Sequence, residues 1–232
     1  MIEIKELTKS YKGVEVVNIT EMSIAKGESF GLVGNNGAGK TTFYRMILDL
    51  IRPTHGTVLS KGIDVRTTEE WKFYTGSFLD ESFLIDYLTP DEYFEFVGSL
   101  HNYSPGDMKE FLGQFEALFN GEITGKKKYI RDLSKGNQKK VGIAAALMGS
   151  PEVILLDEPF ANLDPTTQIR LKDLLRDLKE KHQLTMLISS HDLNHVTDVC
   201  ERIVLLEKGE VKQDIKTSAS TLKDLEEYFA TY

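Results

Sequence analysis

The chain has 232 residues, 41% apolar and 28% charged, with a formal net charge of −8, so it is one large domain or a core carrying an inserted subdomain around a real hydrophobic interior. The acidic balance argues against a dedicated nucleic-acid binder, which needs a basic face, and the single cysteine, Cys200, excludes an intrachain disulfide. No apolar run reaches the roughly 18 residues that span a bilayer, and the start MIEIKELTKSY lacks the apolar stretch of a secretory leader.

In chain order, residues 2–8 and 16–24 read as strands joined by a turn at Lys12-Gly13, with a second turn at Lys26-Gly27. Ser29 to Val33 is a short apolar run that stops at a glycine-rich loop, as a buried strand would. Thr41 to Ile51 has helical spacing and ends before Arg52-Pro53, and the segments at Thr57 to Leu59 and around Phe78 read as strands. From about Asp86 to Ser150 the pattern is helical. Thr89-Pro90-Asp91-Glu92 offers a capping hydroxyl, a proline at the first position and acids at the positive end of the dipole. Met108 to Phe119 reads as a second amphipathic helix, and a third begins near Ser134 and runs to Met148. Val153 to Leu156 is an apolar strand, Pro165 to Lys181 a helix with Leu171, Leu174, Leu175 and Leu178 on one face, and Leu184 to Ser189 a buried strand. Arg202 to Leu206 and Glu210 to Gln213 form a hairpin through Lys208-Gly209. Alternating strands and helices mean an α/β fold with a mainly parallel sheet. The helical stretch in the middle reads as an insertion.

Gly34-Asn35-Asn36-Gly37-Ala38-Gly39-Lys40-Thr41-Thr42 fits the phosphate-loop pattern, and it stands between an expected strand and an expected helix. Glycines let backbone N–H groups converge on phosphate oxygens, and the helix N-terminus adds positive potential. Lys40 is expected to reach the β- and γ-phosphates, and the Thr41 hydroxyl to ligate Mg²⁺. Asp157, at the carboxyl end of the Val153 strand, can hold the same Mg²⁺ shell, and Glu158 is placed to polarise an attacking water.

Leu133-Ser134-Lys135-Gly136-Asn137 resembles the signature motif (L-S-G-G-Q in its commonest form) of the ATP-binding-cassette, or ABC, transporter ATPases. It stands before a helix and upstream of the Asp157-Glu158 strand, the order found in that family. The resemblance runs from Tyr11 to beyond His191 and implies more. Tyr11 would stack on adenine, and Ser134, Lys135, Gly136 and Asn137 would cap the γ-phosphate of ATP held by the opposite subunit. Ala161-Asn162-Leu163-Asp164 would communicate between subunits, and His191 would contact the γ-phosphate. The implied fold is an α/β P-loop NTPase core with a mainly parallel sheet, an N-terminal antiparallel β subdomain and an inserted helical subdomain. Within a single domain spanning 1–232, residues 1–85 and 151–232 would form the core with its β subdomain, and 86–150 the helical subdomain. The competing reading of His191 and His195, four apart, is a zinc helix; Asp192 in place of the glutamate of that motif weakens it.

Several positions depart from the family pattern. Asp80 stands where glutamine usually contacts Mg²⁺ and the attacking water; it could still approach the metal as a carboxylate, or be a plain surface acid. Lys135 and Asn137 replace Gly and Gln, and Lys135 could offset the charge of Asp80. Ala161 replaces a common Ser. The run Lys126, Lys127, Lys128, Arg131, Lys135, Lys139, Lys140 reads as a solvated or phosphate-facing loop, and Cys200 as a buried inert thiol.

Phe83, Leu84, Ile85, Tyr87 and Leu88 fall where the family receives a helix from its membrane subunit, with core packing as the alternative. The resemblance therefore implies an ATP-hydrolysing subunit that needs ATP and Mg²⁺ and dimerises with a second copy or a related ATPase. It would work at the cytoplasmic face of the cell membrane, held there by an integral membrane permease. The chain length and the L-S-K-G form look most like bacterial exporters with a separate permease. The alternative is a soluble cassette ATPase of the repair or translation type, without a permease. The repair type needs long coiled-coil heptads, which this sequence does not contain.

Overall fold

The computed structural model describes residues 1–218 and 220–230. Ten strands form one sheet, and its two ends are built differently. At one end β1 (Ile2–Tyr11) and β2 (Val14–Ile24) make an antiparallel hairpin. Its turn residues Lys12 and Gly13 have φ of 50° and 82°, the paired left-handed conformation whose twist matches that of the strands. Beyond β1 lie β4 (His55–Ser60) and the two-residue β5 (Ile63–Asp64), both antiparallel.

At the other end β9 (Arg202–Glu207), β3 (Ser29–Val33), β8 (Thr185–Ser190), β7 (Val153–Leu156) and β6 (Thr75–Phe78) run parallel to one another in that order. Every residue of β3, β7 and β8 is buried, so these strands show no alternation of inward and outward faces, and Ser29, Thr185, Ser189 and Ser190 are buried along with their apolar neighbours. The strand β10 (Glu210–Lys216) returns antiparallel to β9 and meets β2 through the pair Glu210 and Asn18, which joins the two ends. Arg202 reinforces that seam. Its guanidinium donates to Asp214, to the Ser23 carbonyl at 2.6 Å and to Glu28 at 3.1 Å, and the Asp214 and Glu28 carboxylates hold its pKa above the ordinary arginine value.

Helices cover the sheet. The first, α1 (Lys40–Ile47), follows β3; it ends earlier than its apolar spacing suggests, because Asp49 takes φ 49° and the Leu50 and Ile51 N–H groups fold back onto the Arg45 carbonyl. Between β6 and β7 the chain leaves the sheet for α2 (Pro90–Leu100), α3 (Pro105–Gly113), α4 (Glu116–Phe119) and α5 (Lys135–Ala146). Thr89 and Glu92 form a reciprocal capping box on α2. The single helix expected over Met108 to Phe119 is two. A second box, Ser104 with Asp107, starts α3 early, and the chain breaks around Gln114 and Phe115. The break drops Phe115 into a buried stack with Phe119 (centroids 5.6 Å apart), which in turn stacks on Phe94 at 5.8 Å. The remaining helices are α6 (Pro165–His182), α7 (Leu193–Val199) and α8 (Thr221–Ala230).

Two apolar clusters result. One joins the aromatic stack of the helical segment to β7, α6 and α7, and takes in Cys200 and Leu225; the other fills the space between α1 and the antiparallel strands. Cys200 is buried, and burial pushes its thiol far above the ordinary value, as expected of an inert core residue. No helix among the described residues is long and apolar enough to cross a membrane.

Candidate functional site

The loop between β3 and α1 can exist only with little side-chain bulk. A Cβ on Gly34 would stand 2.3 Å from the Leu206 carbonyl oxygen, and one on Gly39, at φ 108°, would stand 2.5 Å from the carbonyl oxygen of Val16. The β9–β10 turn pins the loop from below, with the Gly209 N–H donating to the Ala38 carbonyl at 2.9 Å. Gly39 takes the N-cap position of α1, and no side chain caps that end, so its first-turn N–H groups face the loop. The result is a cavity of about 330 Å³ lined by Val16, the segment 36–42 and Glu158.

Five expected side chains converge here. Lys40 is buried, with Nζ donating to the Gly34 carbonyl at 2.6 Å and lying 3.3 Å from Glu158 Oε1. The Thr41 hydroxyl donates to Asp157 Oδ2 at 2.5 Å, and the Ser189 hydroxyl donates to Asp157 Oδ1. Burial pushes the Asp157 carboxyl above the usual range, against the pull of the two hydroxyls and Lys40. Glu158 has φ 49°, a left-handed conformation that a residue with a side chain adopts at a cost. Its N–H donates to Ser189 Oγ at 3.0 Å, its carbonyl accepts from Lys139 Nζ at 2.6 Å, and its Oε2 lies 2.8 Å from His191 Nδ1. His191 stands in the bend between β8 and α7, outside any helix. His195 packs on the Phe160 ring, centroids 4.9 Å apart, and no metal-like group of His, Cys, Asp or Glu occurs among the described residues. The zinc reading has no geometry behind it.

Tyr11, Asp80 and the residues at the start of α5 lie off this lining. Tyr11 ends β1 with its ring 48% exposed and the Lys9 ammonium 4.9 Å from its centroid; it does not line the cavity. Asp80 is also off the lining. Its Oδ1 accepts from the Ser82 N–H at 2.8 Å and from the Ser82 hydroxyl, and its Oδ2 lies 3.7 Å from Arg45. The short aspartate arm is taken up by its own turn and by α1, so the expected approach to a metal is not what this structure places there.

Ser134, Lys135, Gly136 and Asn137 form the start of α5, with Ser134 Oγ accepting from the Asn137 N–H at 3.2 Å. None of the four lines the cavity. A Cβ on Gly136 would stand 2.9 Å from the Asn162 carbonyl, so the start of α5 packs on the 161–164 segment. Lys135 is exposed, 3.6 Å from Glu81.

The basic run was expected to be a solvated or phosphate-facing loop. Lys126, Lys127, Lys128 and Arg131 are exposed, but Lys139 and Lys140 are buried, the latter paired with Glu122 at 3.0 Å; they fall on the inward face of α5, where the pattern of charge alone says nothing of direction. Val16 and Ser189 are site residues that the sequence reading did not single out, and Lys139 was named there only as part of the basic run. Ser189 left a trace, a polar residue inside a buried strand.

Comparison with known proteins points to one family. The family model described as ABC transporter matches residues 17–161. An uncharacterized ABC transporter ATP-binding protein of Synechocystis is 34% identical over 91% of the chain, which spans 61% of that relative's length. The methionine import ATP-binding protein MetN of Carboxydothermus hydrogenoformans is 31% identical, over 92% of this chain and 66% of its own. Among solved structures, a dimeric post-hydrolysis state of the ATP-binding cassette MJ0796 bound to ADP and Pi superposes with a TM-score of 0.81 at 28% identity, covering 94% of this chain and all of that one. On the phosphate loop, the Asp157-Glu158 strand end and these likenesses, the chain belongs to the ATP-binding subunits of the ABC transporter family.

Proposed function

We propose that this chain binds and hydrolyses ATP as half of a cassette dimer and drives a separate integral membrane permease. The observation that carries the reading is the meeting of Lys40, Thr41, Asp157, Glu158 and His191, linked by hydrogen bonds and an ion pair beside the phosphate-loop cavity, from three places in the fold: the start of α1, the end of β7 and the bend after β8. In the proposed mechanism, the loop N–H groups and Lys40 bind the β- and γ-phosphates. Thr41 and Asp157, a hydroxyl and a carboxylate already side by side, are a fitting oxygen donor pair for Mg²⁺, which when bound neutralises charge on the phosphates. Glu158 orients a water toward the γ-phosphorus and accepts its proton as the bond to the β–γ bridging oxygen breaks. His191 Nδ1 holds the Glu158 carboxylate and leaves Nε2 for the phosphate.

Ser134, Lys135, Gly136 and Asn137 lie off the cavity of their own chain, which supports a role on ATP held by a second copy or a related subunit. Tyr11 is proposed to stack on adenine. The segment 86–150 is read as the helical arm. Beside it Phe83 and Tyr87 are 52% and 63% exposed, an apolar surface suited to a permease helix at the cytoplasmic face of the membrane. Export is the proposed direction, from the L-S-K-G form of the signature; since MetN is named for import, the direction is read from uptake into inverted vesicles.

The test is copurification of the tagged chain from detergent-solubilised membranes of its host, with Glu158→Gln assayed alongside. A polytopic protein in near-equal amount and a Glu158→Gln turnover lower by about 10²-fold or more support the proposal. Soluble partners alone would replace it with the soluble cassette reading.

A further inference from the structure

We infer that Lys139 is a positioning residue for hydrolysis: from the helix that begins at the signature it holds the main chain of Glu158 and thereby aims the carboxylate. This rests on the proposed role of Glu158 as the group that accepts the proton of water.

Each polar group of Glu158 is held by a different part of the fold. Its N–H goes to Ser189 on β8, its carboxylate to His191 beyond β8 and to Lys40 on α1, and its carbonyl to Lys139 on α5. That arrangement fits the backbone at φ 49°, since a strained conformation persists only where its surroundings over-determine it. The peptide unit leaving Glu158 is held by the Lys139 bond at 2.6 Å together with a longer one, 3.3 Å, from the Ala161 N–H to the same carbonyl. Without Lys139 only the longer local bond remains, and the peptide can turn and carry the carboxylate off line.

The residue type is informative too. Lys139 is 5% exposed, and burial pushes its amine below the ordinary lysine value, while Glu81, Glu158 and Asp157 push it back up. Its neighbour Lys140 meets the demand of a buried cation by pairing with the Glu122 carboxylate. Lys139 instead spends its hydrogen bond on a carbonyl, so its charge stays free to act on the Asp157 and Glu158 carboxylates at the end of β7. The groups facing Glu158 are thus Lys139 from α5, Lys40 from α1, and His191 and Asp157 from the sheet edge, with Glu81 facing Lys139 from the turn after β6. The Lys139 bond ties the helix that starts at Ser134 to the backbone of Glu158.

The experiment compares Lys139→Met, which loses donor and charge, with Lys139→Gln, which keeps an N–H donor on a shorter neutral arm. Steady-state ATP hydrolysis by the full chain is measured, with Glu158→Gln as the reference. Expected for Lys139→Met is a kcat lower by about tenfold with KM within about twofold, the mark of an interaction made in the transition state. Expected for Lys139→Gln is recovery of most of kcat, because a donor to the Glu158 carbonyl is kept. Wild-type kcat in Lys139→Met would overturn the inference. So would a loss of kcat that Gln does not rescue, since that is what a packing role predicts. If the Met variant does not fold, Lys139→Ala takes its place and is read in the same way. If Glu158→Gln itself keeps full turnover, the reading of Glu158 fails first; if it loses turnover while Lys139→Met does not, only the Lys139 inference falls.

Discussion

The hydroxyl of Thr41 donates to Asp157 Oδ2 at 2.5 Å, joining the first turn of α1 to the carboxyl end of β7 across 116 residues of sequence. With the Ser189 hydroxyl on its other oxygen, the Asp157 carboxylate is withdrawn from water between two neutral donors. Two hydroxyls do not match the hydration they replace, and burial leaves the carboxyl easier to protonate than a free aspartate. The site holds an anion in readiness for a cation, at the expense of the fold.

Asp157→Asn should therefore stabilise the protein while removing hydrolysis. The amide keeps an acceptor for one hydroxyl and can donate to the other, without a buried charge. A Tm rise of about 2–4 °C near neutral pH is expected, corresponding to roughly 1 kcal/mol. The pH dependence has a definite sign. Because the folded pKa lies above the unfolded one, the folded state holds more protons in the interval between them, and wild-type stability falls as pH rises through it. The Tm gap should be widest above that interval and close below the ordinary aspartate value of about 3.9. Calorimetry across pH 3–8 (roughly, as the chain's solubility allows) checks it; a lower Tm for the variant at neutral pH would contradict the account.

Tyr44 gives a second stability prediction. Its ring is fully buried on α1, its hydroxyl has no hydrogen-bond partner among the described residues, and burial followed by the nearby Asp157 charge pushes that hydroxyl well above its ordinary pKa. An unpartnered buried donor is a desolvation loss that phenylalanine removes at nearly constant shape. Tyr44→Phe should raise stability by about 1 kcal/mol in urea unfolding, with turnover unchanged. A loss of stability would mean that the hydroxyl has a partner such as a buried water.

How much of this was legible beforehand follows from the range of each interaction. The loop 34–42, the turn at Lys12-Gly13 and the capping box at Thr89 are local, set by residues a few positions apart, and all three could be read in advance. The break before Phe115 was not, because it answers to a stack on Phe94 and Phe119 that exists only once α2 is in place. Asp80 was read from family position, yet Ser82, two residues on, supplies a capping N–H and hydroxyl that capture so short an arm. Lys139 and Lys140 sat in a basic run, and only the packing of α5 turns these two inward. Pattern located the residues of the site; the partners that orient them are tertiary.

The contact between α5 and β6 depends on the absence of one methyl group. A Cβ on Gly142 would lie 2.1 Å from the Phe78 ring, at the edge of the sheet next to β7. Gly142→Ala gains helix propensity but forces apart α5 and β6, and overpacking of this kind costs about 1–3 kcal/mol. A net loss is expected in thermal unfolding. Turnover should fall as well, since α5 carries both the signature and Lys139. Unchanged Tm would show that Phe78 can swing aside.

Lys135 occupies the first position of α5, where the helix dipole is positive and a cation is unfavourable. Its side chain is 66% exposed and its ammonium is 3.6 Å from Glu81, an exposed pairing that contributes little to stability. A residue that helps neither its helix nor its fold is better accounted for by an anion outside the chain, and in the proposed dimer that anion is the ATP of the second copy. Lys135→Ala should leave Tm unchanged or slightly higher while weakening ATP-driven dimerisation several-fold, about 1 kcal/mol on the scale of helix-end charge effects. The difference between variant and wild type should shrink as salt is raised, because an exposed charge is screened. Sedimentation velocity with ATP at low and high salt reads both effects. Equal dimerisation of the two proteins at low salt would assign Lys135 to the solvated face of α5 and leave Ser134 and Gly136 to hold the phosphate unaided.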